Sequence, residues 1–230
     1  MKNYVKLQGV VTDFNNAPLE GAVVALKNTS FENLYETYTD KDGKYEIEVK
    51  KGLYYTFYAC KDYRVNYLEY WAWNIPLYED KVIDAKIDGL EIYGVNIFQV
   101  QGGYPALMIY FRPMSLTRGL KLETDGNLDS LEIIDISPEL EKEDIEVYWD
   151  DRKMAIYEVN KVMEYGGKIK DLNQHIYSYL IQIELPIEYK EKLYKYNKID
   201  IKLKDKETGE RGEGTIFWKK EQAIQQVNEE

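Results

Sequence analysis

The chain has 230 residues, a formal net charge of −11 and an apolar content of 44%. It is long enough to bury one large core or two smaller ones without covalent staples, and its negative charge disfavours nucleic acid and anionic lipid as partners. The 22 tyrosines favour β structure, because tyrosine is a good strand former.

The single cysteine, Cys60, excludes an intrachain disulfide and a thiolate metal cage, so we expect no metal and no other cofactor. No stretch reaches the roughly 18 apolar residues that a membrane helix needs. The opening residues 1–6 lack the apolar segment of an export signal. We therefore expect a cytoplasmic protein without membrane contact; a cell-surface or secreted location would require that a leader had been removed.

The first 59 residues predict five short strands. Apolar and polar residues alternate from Val5, a continuous apolar run follows at 22–26, and two further strands flank the turn Asp40-Lys41-Asp42-Gly43. A nearly all-aromatic strand spans 53–59. Short strands separated by turn residues are typical of an antiparallel β-sandwich.

The segments GVVTD (9–13), PLEGAVV (18–24), TDKDGKY (39–45) and GLY (52–54) follow one another in this region. They resemble the carboxypeptidase regulatory-like domain, a transthyretin-like β-sandwich, over roughly residues 4–62. The resemblance implies an accessory module without catalytic residues of its own. A single histidine cannot furnish the pair of histidine ligands that the zinc site of the catalytic carboxypeptidase domain requires.

The second half predicts another sandwich. Residues 81–87 supply a candidate last strand of the first sandwich, and Asp88-Gly89 ends it. Beyond this point, residues 121–130 and 165–173 are interpreted as loops, and Pro186 begins a helical turn that ends near residue 194. The predicted strands of the second half are 90–100, 104–111, 131–136, 145–149, 154–159, 177–185, 199–203 and 215–218.

The predicted fold is therefore all-β, with two consecutive immunoglobulin-like or transthyretin-like antiparallel β-sandwiches. We place the carboxypeptidase regulatory-like sandwich at residues 1–88 and the immunoglobulin-like sandwich at 89–220. A polar C-terminal tail occupies 221–230. The aromatic stretch 63–78 joins the two sandwiches.

The aromatic stretch is also the best candidate for a binding site, since aromatic faces stack on sugars and anchor protein interfaces. On a strand, Tyr70 and Ala72 lie on one face, and Trp71 and Trp73 on the other. The two tryptophans form either an exposed platform or a filling for the seam between the sandwiches, and burial is favoured because aromatic residues populate cores. The candidate ligand-binding residues are Tyr67, Glu69, Tyr70, Trp71, Trp73 and Asn74.

Other polar features are interpreted as structural. Asp40-Lys41-Asp42-Gly43 with Asp13 offers too few oxygen ligands for calcium and reads as a hairpin turn. His175 lies in a loop without a serine or cysteine motif, which favours a surface or capping role. Arg112, at the end of an apolar strand, is expected to form an ion pair rather than to contact an anionic ligand. No catalytic residue is predicted.

The predicted function is non-catalytic binding, first to a protein partner or to a second copy of the chain. The alternative is a carbohydrate held by the aromatic stretch 67–78. A third hypothesis, a glycoside hydrolase type of enzyme, would need two carboxylates in a cleft about 5 to 10 Å apart.

Overall fold

The computed structural model describes residues 3–100, 102–126, 128–186 and 192–220. Within these residues the chain is almost entirely strands and connections, which confirms the all-β class. One α-helix, α1, spans Leu116–Asp125. The strands are β1 Tyr4–Thr12, β2 Val23–Lys27, β3 Asn33–Tyr38, β4 Lys44–Lys50, β5 Gly52–Cys60, β6 Tyr70–Leu77, β7 Lys81–Val82, β8 Ala85–Lys86, β9 Leu90–Phe98, β10 Ala106–Ser115, β11 Ile145–Trp149, β12 Arg152–Lys153, β13 Ile156–Ile169, β14 Leu172–Glu184, β15 Asn197–Lys204 and β16 Arg211–Trp218.

These strands form three sheets. The first sheet contains β4, β1 and the short strands β7 and β8, which pair in parallel with β1. The second has the order β13-β14-β10-β9. The third has eight strands in the order β12-β11-β15-β16-β6-β5-β2-β3. Because β6 pairs in parallel with β16, one continuous sheet contains strands from both halves of the chain.

Two apolar cores lie on opposite faces of the eight-stranded sheet. In the first core, Leu7 of β1 and Val49 of β4 belong to the same cluster as Phe57 of β5. In the second core, Ile109 of β10 is clustered with Ile201 of β15. Each half is thus a sandwich, and the two sandwiches share the long sheet.

Strand β6 contributes side chains to both cores. Tyr70 and Ala72 belong to the first core, whereas Trp71 and Trp73 belong to the second. Phe217 of the neighbouring strand β16 also reaches the first core. The predicted alternation of these β6 side chains is confirmed, and it follows from the two-residue repeat of a strand.

Helix α1 occupies residues 121–125 of the predicted loop, which makes that part of the prediction wrong. The Ser115 hydroxyl caps the helix by accepting a hydrogen bond from the Arg118 backbone N–H at 3.1 Å. The Glu210 carboxylate accepts another from the Thr117 backbone N–H at 2.9 Å. Glu210 is 93 residues away in sequence, so no local pattern reveals this second cap.

The predicted loop at 165–173 is instead part of one long hairpin, formed by β13 and β14. Gly166-Gly167 does not end the strand, since the register merely shifts between Tyr165 and Gly167. His175 consequently lies within β14 rather than in a loop before it. The predicted strand 131–136 is reduced to one isolated bridge between Ile133 and His175.

Some predictions are not tested by the described residues. Residues 187–191 of the predicted helical turn and the tail 221–230 lie outside the described residues. The domain boundary between residues 88 and 89 stays a prediction. In the described part of the chain, no helix has the length and apolar character needed to span a membrane.

Candidate functional site: the aromatic seam and the hairpin arm

The two tryptophans of β6 fill the seam between the sandwiches. Trp71 and Trp73 are each 5% exposed, and their rings stack with centroids 5.8 Å apart. Tyr93 of β9 contacts both rings edge-on, with its centroid 5.6 Å from each. Of the two alternatives predicted for these rings, the structure adopts the buried one.

Two further rings lie at the rim of this aromatic seam. Phe31 packs edge-on against Trp71, and Tyr55 does the same against Trp73. Each of these outer residues keeps 37% of its surface exposed. Phe31 comes from the turn between β2 and β3, and Tyr55 from β5. Sequence reasoning missed both residues because their proximity to β6 depends on strand pairing, which no local spacing encodes.

Only three of the six predicted binding residues come together, namely Glu69, Trp71 and Trp73. Tyr70 points to the opposite face, where its hydroxyl donates a hydrogen bond to Thr215 Oγ1 at 2.7 Å. Tyr67 packs against the first core. Asn74 has a φ of 57°, which interrupts the alternation of side chains along β6. Ile75 and Leu77, which follow it, therefore face the first core, as Tyr70 and Ala72 do.

A pair of carboxyl groups lies beside the seam. The Trp71 indole Nε1–H donates to Glu69 Oε2 at 3.0 Å and to Glu91 Oε1 at 3.1 Å. Glu91 is only 1% exposed. Burial, and then the charge of Glu69, raises the pKa of Glu91 to about 8. Burial also raises the pKa of Glu69. At neutral pH the protonated form of Glu91 is therefore favoured.

A second group of acidic residues surrounds a pocket of about 310 Å³, and its carboxylates make structural contacts. Lys206 pairs with Glu141 at 2.9 Å and with Asp144 at 3.2 Å. Arg118 pairs with Asp205 at 3.1 Å and with Glu207 at 2.6 Å. The hydrogen bond from Lys206 lowers the pKa of Glu141, which disfavours a role as a general acid. Among the described residues, no group of three or more histidine, cysteine or acidic side chains is placed to hold a metal ion.

The remaining sequence candidates have structural partners. Arg112 pairs with Glu164 of β13 at 2.8 Å, which confirms the expected ion pair. Asp40 Oδ1 accepts hydrogen bonds from the backbone N–H groups of Asp42 and Lys44, each at 2.9 Å, so residues 40–43 form a turn as predicted. The predicted hairpin is wrong, however, because β3 pairs with β2 and β4 pairs with β1, in different sheets.

The second sheet has a free edge along β13. Strand β13 has 14 residues, all described, and none of them is buried. Among the described strands it pairs with β14 alone, so none of them covers its other edge. Strand β10 pairs with β14 only from Tyr179 to Glu184. The hairpin arm, which we define as residues 163–177, therefore extends beyond β10, and hydrogen bonds of His175 to the backbone of Glu132 and Ile134 hold its β14 side.

One face of the hairpin arm is apolar and aromatic. Met163 lies opposite Tyr177, and Tyr165 lies opposite His175. Met163 is 55% exposed and Tyr165 is 62% exposed. The Lys161 ammonium lies 4.1 Å from the centroid of the Tyr177 ring. An exposed strand edge that also presents apolar side chains is a template for binding another polypeptide.

Comparison with known proteins supports the first part of the sequence analysis. The model of the carboxypeptidase regulatory-like domain matches residues 6–67, which confirms the predicted resemblance. The matched domain is regulatory rather than catalytic, and no enzyme family is indicated. No curated protein matches the sequence of this chain.

Solved structures resemble the chain only remotely. A DUF3823 family protein from Bacteroides ovatus is 12% identical, with a TM-score of 0.28 and coverage of 94% of this chain and 99% of that one. A candidate carbohydrate-binding protein from Bacteroides uniformis is 10% identical, with a TM-score of 0.29 and coverage of 94% and 99%. BcpA, the major pilin subunit of Bacillus cereus, is 11% identical, with a TM-score of 0.29 and coverage of 94% and 69%.

Proposed function

We propose that this chain is a non-catalytic binding protein that associates with a second copy of itself through the edge of β13 and the hairpin arm. The observation that carries the proposal is the 14-residue strand whose free edge is unpaired and whose residues are all at least partly exposed. A partner strand would satisfy the free backbone groups of β13 and cover the exposed apolar side chains of the arm.

The burial of Trp71 and Trp73 supports the same choice. Because these rings stabilise the joint between the sandwiches, they are not free to serve as the main contact surface. The arm offers Met163 and Tyr165 instead, and Tyr and Met are enriched in protein interfaces. A strand added at this edge would contribute backbone hydrogen bonds, while the side chains of the arm would contribute specificity.

Light scattering coupled to gel filtration tests the proposal. At about 100 μM, a concentration well above a micromolar dissociation constant, we expect twice the 27.1 kDa mass of one chain. Replacing Met163 and Tyr165 by lysine should weaken association at least about tenfold, since a charge on an edge strand opposes pairing. Tyr104→Lys is the matched control, because Tyr104 is 76% exposed and lies outside the arm.

Self-association would be ruled out if the protein had the mass of a single chain at every concentration up to about 1 mM. Even a dimer with a dissociation constant far above a micromolar value would form at that concentration. Equal dimerisation of the control and the double variant would show instead that the association uses another surface. The melting temperatures of both variants should match that of the unmodified chain, because the substituted side chains are exposed.

A carbohydrate is the second candidate partner, and the rim of the aromatic seam favours it. Phe31 has a φ of 62°, a left-handed conformation that a bulky residue rarely adopts, and its ring is thereby held beside that of Tyr55. If this rim binds a glycan, Phe31→Ala and Tyr55→Ala should abolish retention in glycan affinity electrophoresis and leave the mass of the protein in solution unchanged. Met163→Lys should then have no effect on glycan retention.

A further inference from the structure

A cavity of about 270 Å³ lies between the segment 61–69 and helix α1. Its wall is mostly apolar, and the roof is one side of α1. No residue of α1 is buried. The side of the helix that faces the rest of the protein lies against the cavity. The lining residues are Tyr63, Arg64, Leu68, Glu91, Met114, Ser115, Leu116, Gly119, Leu120, Leu122, Glu123, Ile134 and Ile136.

Glu91 is the polar group that distinguishes this cavity from a packing defect. Its side chain is almost completely buried, and its Oε2 atom receives no hydrogen bond from any described donor. A buried polar atom without a hydrogen-bond partner is costly, and such atoms in native proteins call for an explanation. The carboxyl of Glu69 lies next to that of Glu91, because Trp71 Nε1 donates a hydrogen bond to each of them.

The charges around the cavity favour a cationic ligand. Arg64 is the cationic side chain among the lining residues, and it is occupied by an ion pair with Glu123 of α1. An anion entering the cavity would therefore meet the Glu91 carboxyl without a free cation to balance it. An ammonium group, in contrast, brings three hydrogen-bond donors and takes the place of the Glu91 proton, because a nearby cation favours the ionised carboxylate. The net charge of −11 also raises the local concentration of cations.

The volume limits the size of the ligand. A cavity of about 150 Å³ holds one benzene molecule, so about 270 Å³ accommodates one ring with a short side chain. We propose that this cavity binds a small apolar primary amine, with the ammonium group against Glu91 and the apolar body against the leucines of α1. This site is separate from the hairpin arm, and its test does not depend on self-association.

Isothermal titration calorimetry with 2-phenylethylamine and its neutral analogue 2-phenylethanol tests the inference. We expect the amine to bind one per chain and at least about tenfold more tightly than the alcohol, since hydrogen bonds to charged groups are the stronger ones. In Glu91→Gln the amine should bind no better than the alcohol. Equal affinities in the unmodified chain, or a preference for the amine that persists in Glu91→Gln, would overturn the proposal.

A second pair of variants tests the location. Leu120→Trp places a large ring in the cavity wall and should abolish binding of both probes. Lys121→Trp puts the same ring on the exposed neighbouring position of α1 and should leave binding intact. Leu120 is 40% exposed, so the substitution is compatible with folding. Binding of neither probe to the unmodified chain, or unchanged binding to Leu120→Trp, would refute the site.

Discussion

Replacing Glu91 by glutamine should change how stability depends on pH. Burial raises the pKa of Glu91 from its ordinary value of 4.5 to about 8 in the folded protein. Between these two values the folded state binds more protons at this position than the unfolded state does. The free energy of unfolding therefore falls as pH rises through that window, by up to about 1.4 kcal/mol per pH unit from this one group. Above pH 8 the contribution levels off.

Glutamine has nearly the same shape as glutamic acid and stays neutral throughout, so Glu91→Gln removes this contribution without opening a cavity. The variant should match the unmodified chain near pH 5 and exceed its stability at pH 8 by at least about 2 kcal/mol. Urea denaturation followed by tryptophan fluorescence between pH 5 and 8.5 measures the difference. Taking the difference between the two proteins cancels the titrating groups that lie far from residue 91, so what remains belongs to Glu91 and its neighbour Glu69.

The control is Glu48→Gln, at an exposed position of β4. Its stability should follow that of the unmodified chain at every pH, because an exposed carboxylate interacts little with the fold. If the curves of Glu91→Gln and the unmodified chain run parallel across the whole range, Glu91 does not hold a proton in the folded state. The account of the carboxyl pair beside Trp71 would then be wrong.

Three further experiments test the packing by urea denaturation. Trp73→Ala should cost about 3 to 5 kcal/mol, as expected for a large aromatic side chain that is 5% exposed; a cost below about 1 kcal/mol, typical of surface sites, would contradict its burial. Tyr70→Phe removes the hydrogen bond to Thr215 and should cost about 1 kcal/mol, and an unchanged midpoint would argue against that bond. A double-mutant cycle between Arg112→Ala and Glu164→Ala should give a coupling of about 1 kcal/mol or less, since both side chains are partly exposed, and a repulsive coupling would contradict the ion pair.

The strands, the turns and the alternation of side chains along a strand could be predicted from local sequence patterns, because each depends only on neighbouring residues. The period of two in β1 and the turn residues before Lys44 define a strand and a turn without reference to the rest of the chain, whereas the pairing of β4 with β1 instead of β3 is not encoded locally. The same period placed Trp71 and Trp73 on one side of β6 and Tyr70 on the other, as the two cores confirm. These features need only the geometry of a single strand or turn.

The partners of those elements could not be predicted from local sequence. The parallel pairing of β6 with β16 joins residues such as Ala72 and Thr215, which lie far apart in the chain. The same is true of the cap that Glu210 provides for α1, and of the aromatic rim formed by Phe31 and Tyr55. Each depends on tertiary contacts that no spacing rule in a single sequence encodes.

Strand β6 explains why the aromatic stretch acts as a joint rather than as a binding surface. In a free-standing first sandwich, the face of β6 that carries Trp71 and Trp73 would point away from the core and into water. Here the second core covers it, and each ring removes about 150 to 250 Å² from solvent, worth at most about 4 to 6 kcal/mol of transfer free energy. The stabilities of the two halves are therefore coupled through one strand. Groups that folding leaves exposed or without hydrogen-bond partners remain available to a partner, and in the described part of the chain these include the free edge of β13 and the buried Glu91 Oε2.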